Sequence, residues 1–251
     1  MHNIYIEDTG KGFPLVLVHG FLGSSKMWQP QISFFKKKFR VIAPDLPGFG
    51  ESKNIKSHKS IKSIATLLIN CLKEKKIDKY ILLGHSMGGM IVQEMAKING
   101  EKISKLVCYS TGPIGEMPGR FETIEKSREK LKKNGLQITA LRIAKTWFIK
   151  KEKAKYFYLC SAAGKSTSFK TVDNALIAMK NWKGIKNLKS IKNETLILWG
   201  DKDKSYNFDQ AKALNKNIEN SKLKIFKGCS HNIHLEKPND FNETIKEFIK
   251  R

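Results

Sequence analysis

The sequence predicts an α/β fold, a mostly parallel sheet flanked by helices, on three grounds. Short apolar runs of strand length alternate with segments whose apolar residues recur at helical spacing, the rhythm of parallel strands joined by right-handed crossovers. One such run passes into one such segment through a glycine-rich turn, Gly84-His85-Ser86-Met87-Gly88-Gly89. From Glu116 to Ile185 the strand signal disappears and only helical patterns remain, so a helical insertion is expected to lie over the sheet.

In chain order, Ile4 to Ile6 and Leu15-Val16-Leu17-Val18 read as strands separated by the turn Thr9-Gly10-Lys11-Gly12, with Pro14 where a strand begins. The loop His19-Gly20-Phe21-Leu22-Gly23-Ser24-Ser25 follows, at the carboxyl end of a strand where open α/β sheets bind ligands. Met27 to Phe35 reads as a short amphipathic helix and Phe39 to Ala43 as a strand. Pro44 to Ser52 holds too much proline and glycine for regular structure, and Asp45 in it reads as a turn-former. Ile61, Ile64, Ala65, Leu68, Ile69 and Leu72 share one face of a helix. Tyr80 to Leu83 is a buried strand, Ile91 to Ala96 a helix, and Ile103 to Tyr109 another strand. Within the insertion, Leu136, Ala140, Ile143, Ala144, Trp147 and Phe148 form one stripe, and Val172, Ala175, Leu176, Met179 and Trp182 another. Strands resume at Thr195 to Trp199 and Leu223 to Phe226, with helices near Phe208 to Asn217 and Phe241 to Ile249. The division expected is a core of residues 1–115 and 186–251 and a helical cap of residues 116–185.

The 251 residues, 40% of them hydrophobic, can bury a large core. No apolar run approaches the roughly 18 residues of a membrane span, and the N-terminus lacks a basic segment followed by an apolar one. A soluble, cytoplasmic protein without membrane association is expected. Cys71, Cys108, Cys160 and Cys229 are scattered, which suggests buried thiols rather than a disulfide framework or zinc site. The 47 Lys and Arg against 23 Asp and Glu give a net charge of +24. That excess is spread along helix faces without interleaved aromatic residues, so nucleic acid is not the expected partner. It suits electrostatic docking of an anionic substrate or of an acidic carrier protein.

Glycines at 84 and 88 permit a tight strand-to-helix turn that leaves the Ser86 hydroxyl at its apex. A serine hydroxyl needs a base to attack near neutral pH, and a histidine base needs a carboxylate to hold its tautomer. Both partners should follow other strands at the same sheet edge. Asp201 and Asp203 are the candidate acids, and His231 and His234 the candidate bases. Main-chain N–H groups of Phe21 and Met87 are candidates to hold a developing oxyanion.

Five segments together, Leu17 to Phe21, Pro44 to Ser52, Gly84 to Gly89, Gly200 to Asp203 and Ser230 to Pro238, resemble the motifs of the α/β-hydrolase superfamily, in its order and over nearly the whole chain. The resemblance implies an α/β-hydrolase fold with a helical cap inserted after the sixth strand. It also implies a catalytic Ser86, with Asp203, three residues after Gly200, as acid and His231 as base, leaving His19 and His234 structural. Ser86 disfavours the epoxide hydrolase and haloalkane dehalogenase branches, which place aspartate there. Within the superfamily, Glu125 to Phe148 is similar to the cap of 3-oxoadipate enol-lactonases and related small esterases. The expected activity is hydrolysis of a carboxylic ester or lactone through an acyl-enzyme, without cofactor or metal. Carbon-carbon bond hydrolysis, hydrolysis of a carrier-borne ester, and ligand sensing with a retained triad are the alternatives. Leu22, Trp147, Phe148, Met179 and Trp182 are the expected pocket residues, and Arg128 or Arg142 the candidates to clasp a substrate carboxylate.

Overall fold

A computed structural model describes residues 4–116 and 118–250. Its sheet has seven strands in the order β1-β3-β2-β4-β5-β6-β7: β1 (Ile6–Thr9), β2 (Phe13–Val18), β3 (Phe39–Pro44), β4 (Tyr80–His85), β5 (Ile103–Tyr109), β6 (Thr195–Gly200) and β7 (Ser221–Phe226). Only β1 runs antiparallel to its neighbour. It starts two residues later than expected and takes in Glu7 and Asp8, because an edge strand tolerates polar residues. Asp8 uses that position to accept two hydrogen bonds from Arg40 on β3, at 2.9 and 2.8 Å.

The central strands are apolar on both faces because helices cover both. Val16, Val18, Leu82, Leu106 and Ile197 pack with α2 (Ile61–Glu74) and α3 (Met87–Asn99). Their sequence neighbours Leu15, Leu17, Leu83, Val107 and Leu198 point the other way, to Trp28, α1 (Gln29–Phe35) and the final helix, which carries Phe241, Ile245 and Phe248. This two-residue alternation is the pleat of a strand buried on both sides. The helix expected over Met27 to Phe35 is split: a 3₁₀ turn at Ser25–Trp28 runs into α1, with Pro30 in its first turn, where the missing N–H costs nothing.

Between β5 and β6 the chain forms α4 (Ile124–Lys145), α5 (Phe157–Lys165) and α6 (Phe169–Asn181). This insertion follows the fifth strand and not the sixth. The five strands before it are the five read from the apolar runs, one fewer than the resemblance implies. A bend divides α4 at Gly135, whose φ of 77° and ψ of 172° lie where side chains are rarely tolerated. The two ends of the insertion are clasped together: Gly115 N–H donates to Trp182 O (3.0 Å) and Gly184 N–H to Pro113 O (2.8 Å), around a bridge between Ile114 and Lys183. Helix α7 (Phe208–Asn217) then leads to β7, and α8 (Ile233–Glu236) and α9 (Pro238–Lys250) complete the fold. All four cysteines are buried and none is in a disulfide among the described residues. Among the described residues, no helix is long and apolar enough to cross a membrane.

Candidate active site

Ser86 ends β4 and starts α3 with φ 56° and ψ −117°, a conformation that an L-residue holds only when its surroundings enforce it. Two glycines make the turn possible. A Cβ on Gly84 would strike the main-chain oxygen of Gly88, and one on Gly88 would strike that of Val18. Two further contacts pin the serine's backbone: its N–H donates to Tyr109 O (2.9 Å) and its carbonyl accepts from the Thr111 hydroxyl (2.8 Å).

The loops after β6 and β7 meet beside it. Asp203 Oδ2 accepts from His231 Nδ1 at 2.9 Å, and both side chains are at most 1% exposed. Its other oxygen, Oδ1, accepts from the N–H groups of Ser205 (2.7 Å) and Tyr206 (3.2 Å), which fixes the carboxylate before it meets the imidazole. Because His231 Nδ1 faces a carboxylate, it carries the proton, and the Nε2 lone pair is left free. The Tyr206 ring stacks on His231, with centroids 5.7 Å apart and planes 5° apart.

The rival candidates lie elsewhere. Asp201 Oδ1 accepts from Gly228 N–H (2.7 Å) and braces the turn before His231. His234 Nδ1 lies 3.0 Å from the Tyr109 hydroxyl, which donates in turn to His231 O at 2.9 Å. Burial, aided by the neighbouring His231, holds the His234 imidazole down at about 3, so it stays neutral. His85 is buried in the same layer, and burial followed by the charges of His231 and His234 holds it well below the ordinary range.

His19 is also structural. Its Nε2 accepts from Leu46 N–H (2.9 Å), so Nδ1 carries the proton and donates to Gly20 O (2.8 Å). This ties the Phe21 loop to the segment that Asp45 closes by accepting from the N–H groups of Ser25 (2.5 Å) and Glu51 (2.7 Å). The loop lies against the serine: a Cβ on Gly20 would sit 3.0 Å from Ser86 Cβ. Among the described residues Phe21 N–H has no acceptor. Met87 is the first residue of α3, where a helix leaves its N–H groups unpaired.

Phe21, Ser86 and His231 line one cavity of about 20 Å³, room for a single water, together with Arg120, Ile124, Ile143, Trp147, Met179, Ser205 and Tyr206. An outer basin of about 250 Å³ adjoins it, and Arg120 and Ile124 line both. A serine hydroxyl, an imidazole nitrogen and the loop of the unpaired Phe21 N–H thus share one small space, an arrangement that acyl transfer can use.

A family model described as alpha/beta hydrolase fold matches residues 14–238. The chain is an α/β-hydrolase. It is 29% identical to the AB hydrolase superfamily protein YisY of Bacillus subtilis, over 98% of this chain and 94% of that protein. It is 27% identical to a pimeloyl-[acyl-carrier protein] methyl ester esterase of Legionella pneumophila, over 99% of this chain and all of that one (100%). The solved enol-lactonase of Burkholderia xenovorans LB400 superposes with a TM-score of 0.90 at 19% identity, covering 99% of this chain and 96% of that one, a likeness of fold.

Of the pocket residues expected in this α/β-hydrolase, Trp147 and Met179 line the cavity and three others do not. Leu22 is buried in the core beside the Phe21 loop, with φ at 54°. Phe148 packs on Phe157, ring centroids 5.8 Å apart, because it lies one residue round the helix end from Trp147. Trp182 sits at the clasp of the insertion and donates its indole N–H to Glu94 Oε1 on α3 (2.9 Å). Neither candidate arginine is free. Arg128 binds Asp173 through Nε (2.6 Å) and Nη2 (3.2 Å), and Arg142 grips both Glu122 oxygens (3.0 and 2.7 Å). Burial pushes the Glu122 carboxyl up, but hydrogen bonds from Arg142, Lys130 and Ser127 outweigh it and hold it down at about 2.

Sequence reasoning misses Arg120 and Tyr206. Tyr206 lies three residues beyond Asp203, so the acid's own loop is the signal that could have found it. Its hydroxyl is in reach of the Ser86 and Thr111 side chains, and burial pushes it up to about 12. Arg120 belongs to no helix and hence to no periodic stripe; only folding brings it to the cavity.

Proposed function

We propose that this α/β-hydrolase is a serine hydrolase that cleaves a carboxylic ester or lactone through an acyl-enzyme. Ser86 Oγ attacks the carbonyl carbon while its proton passes to His231 Nε2. Asp203 holds the Nδ1 proton and stabilises the imidazolium, and the N–H groups of Phe21 and Met87 hold the oxyanion. Protonated His231 then gives its proton to the departing alcohol, and water, activated by the same imidazole, releases the acid. Helices α4 to α6 act as a cap, with Trp147 and Met179 as apolar wall. The observation that carries this reading is the buried Asp203–His231 pair at 2.9 Å, which leaves an unprotonated nitrogen in the cavity that holds Ser86. Ser86→Ala is expected to abolish hydrolysis of a short p-nitrophenyl ester while leaving the circular dichroism melt unchanged; full activity in that variant refutes the mechanism.

A second reading concerns how the ester arrives. The net charge of +24, and a full-length relative named for an acyl-carrier-protein ester, favour a substrate delivered on an acidic carrier protein.

A further inference from the structure

Arg120 occupies the junction between the outer basin and the cavity at Ser86. Its hydrogen bonds run from Nη1 alone, to Glu122 O (2.7 Å) and to Ser127 Oγ (3.3 Å), both uncharged acceptors. Among the described residues it joins no ion pair, and Nε and Nη2 have no acceptor. A half-buried cation without an ion-pair partner is unfavourable, and the two carboxylates whose charge reaches it, Glu122 and Asp203, are already engaged. Glu122 is shared by Arg142 and Lys130 (2.7 and 2.8 Å), and Asp203 serves His231 and two main-chain N–H groups. On the basin's rim, Glu125 is paired with Lys180 at 2.6 Å. The guanidinium carbon lies 4.4 Å from the Phe121 ring centroid, which fixes the plane of the fork while leaving its edge open. Its charge also bears on the Tyr206 hydroxyl beside Ser86, which ties it to the reacting end of the cavity.

We infer that Arg120 is the specificity-determining anion site of this enzyme, and that the ester or lactone attacked by Ser86 carries a carboxylate which the open edge of the guanidinium binds in a two-point contact. This rests on the reading of Ser86 as nucleophile. A carboxylate matches the arginine fork in plane and spacing. The acidic residues on the basin's rim, Glu116 and Glu125, oppose a dianionic phosphate more than a singly charged carboxylate. A neutral ester leaves the cation uncompensated, and discrimination through an unpaired polar partner is the stronger kind.

Two esters of equal acyl length test this: mono-p-nitrophenyl glutarate, ending in a carboxylate, and p-nitrophenyl valerate, ending in a methyl. The wild type is expected to prefer the glutarate ester in kcat/KM. Arg120→Gln should lower the ratio of the two by about 10- to 100-fold, the worth of a charge-assisted hydrogen bond. Arg120→Lys should restore part of it, since lysine keeps the charge and loses the fork. A ratio unchanged in Arg120→Gln overturns the inference, because a merely structural arginine would lower both rates together. Should the glutamine variant fail to fold, the comparison is made with Arg120→Lys, and an undiminished ratio there overturns it. If the wild type cleaves neither ester, the nucleophile reading is what fails. Calorimetric binding of glutarate to wild type and Arg120→Lys then decides: at least tenfold weaker binding by the variant supports the anion site, and equal affinity overturns it.

Discussion

Replacing Asp203 by asparagine changes one atom at the centre of the proposed mechanism, and the geometry dictates the outcome. Oδ1 accepts from two main-chain N–H groups, at 2.7 and 3.2 Å, so the amide introduced by Asp203→Asn must keep its oxygen on that side and turn its NH₂ toward His231. The opposite orientation would set donor against donor at both contacts, at about 1–3 kcal/mol for each buried group left unsatisfied. With NH₂ facing it, His231 Nδ1 must become the acceptor, and the proton moves to Nε2. The base then presents a proton where it needs a lone pair. A wrong-tautomer histidine lowers kcat by roughly 10⁴ in serine hydrolysis of another fold, and about 10³ to 10⁴ is expected here. Folding should change little, since shape and hydrogen-bond count are kept. Asp201→Asn is the control: its carboxylate braces Gly228 and touches no reacting group, so kcat should stay within about threefold. Initial rates on a p-nitrophenyl ester, with urea unfolding of each variant, give the answer. A loss below tenfold in Asp203→Asn, or a larger loss in Asp201→Asn, would refute the reasoning.

Two further outcomes follow from charge. Burial holds His234 down at about 3 and also lowers His19 and His85, whereas in the unfolded chain each imidazole takes up a proton near pH 6.5. The unfolded state therefore binds more protons below that pH, and stability falls on acidification by up to about 1.4 kcal/mol per pH unit for each imidazole. For His234 the loss continues down to about pH 3. Urea unfolding between pH 6.5 and 5 measures the slope, and His234→Gln should remove about one proton from it; an unchanged slope would contradict the assignment. If the substrate travels on an acidic carrier protein, kcat/KM for the carrier-borne ester should drop steeply between about 50 and 200 mM salt while that for a small ester holds. Equal salt dependence for the two removes the carrier reading.

Much of the molecule was legible in the chain because its signals are local. The run Tyr80 to Leu83 announces a strand covered on both faces, and Gly84 and Gly88 are required by steric limits within the turn itself, so Ser86 could be found by eye. Asp203 and His231 were reachable for a related reason: each follows a strand, and the carboxyl ends of parallel strands share one edge. Choosing Asp203 over Asp201 needed either a family resemblance or the observed hydrogen bonds, since two residues of loop turn one carboxylate toward the histidine and the other toward Gly228.

The insertion was legible only as helices. Periodicity says which face of α4 or α6 is buried and nothing about what it is buried against. Trp147 and Phe148 are adjacent in sequence, yet one lines the cavity and the other packs on Phe157. Arg128 and Arg142 carry the charge that a substrate clasp would need, but folding brings Asp173 and Glu122 to them and neutralises both. Arg120, outside any repeat, joins no ion pair among the described residues. The sequence by itself determined the sheet, the turn at Ser86 and the loops that could meet it, because backbone sterics and strand burial act over a few residues. Only the tertiary structure decided which arginine lines the cavity at Ser86 without an ion pair, because that depends on which carboxylates, from residues as far apart as 128 and 173, arrive beside the others.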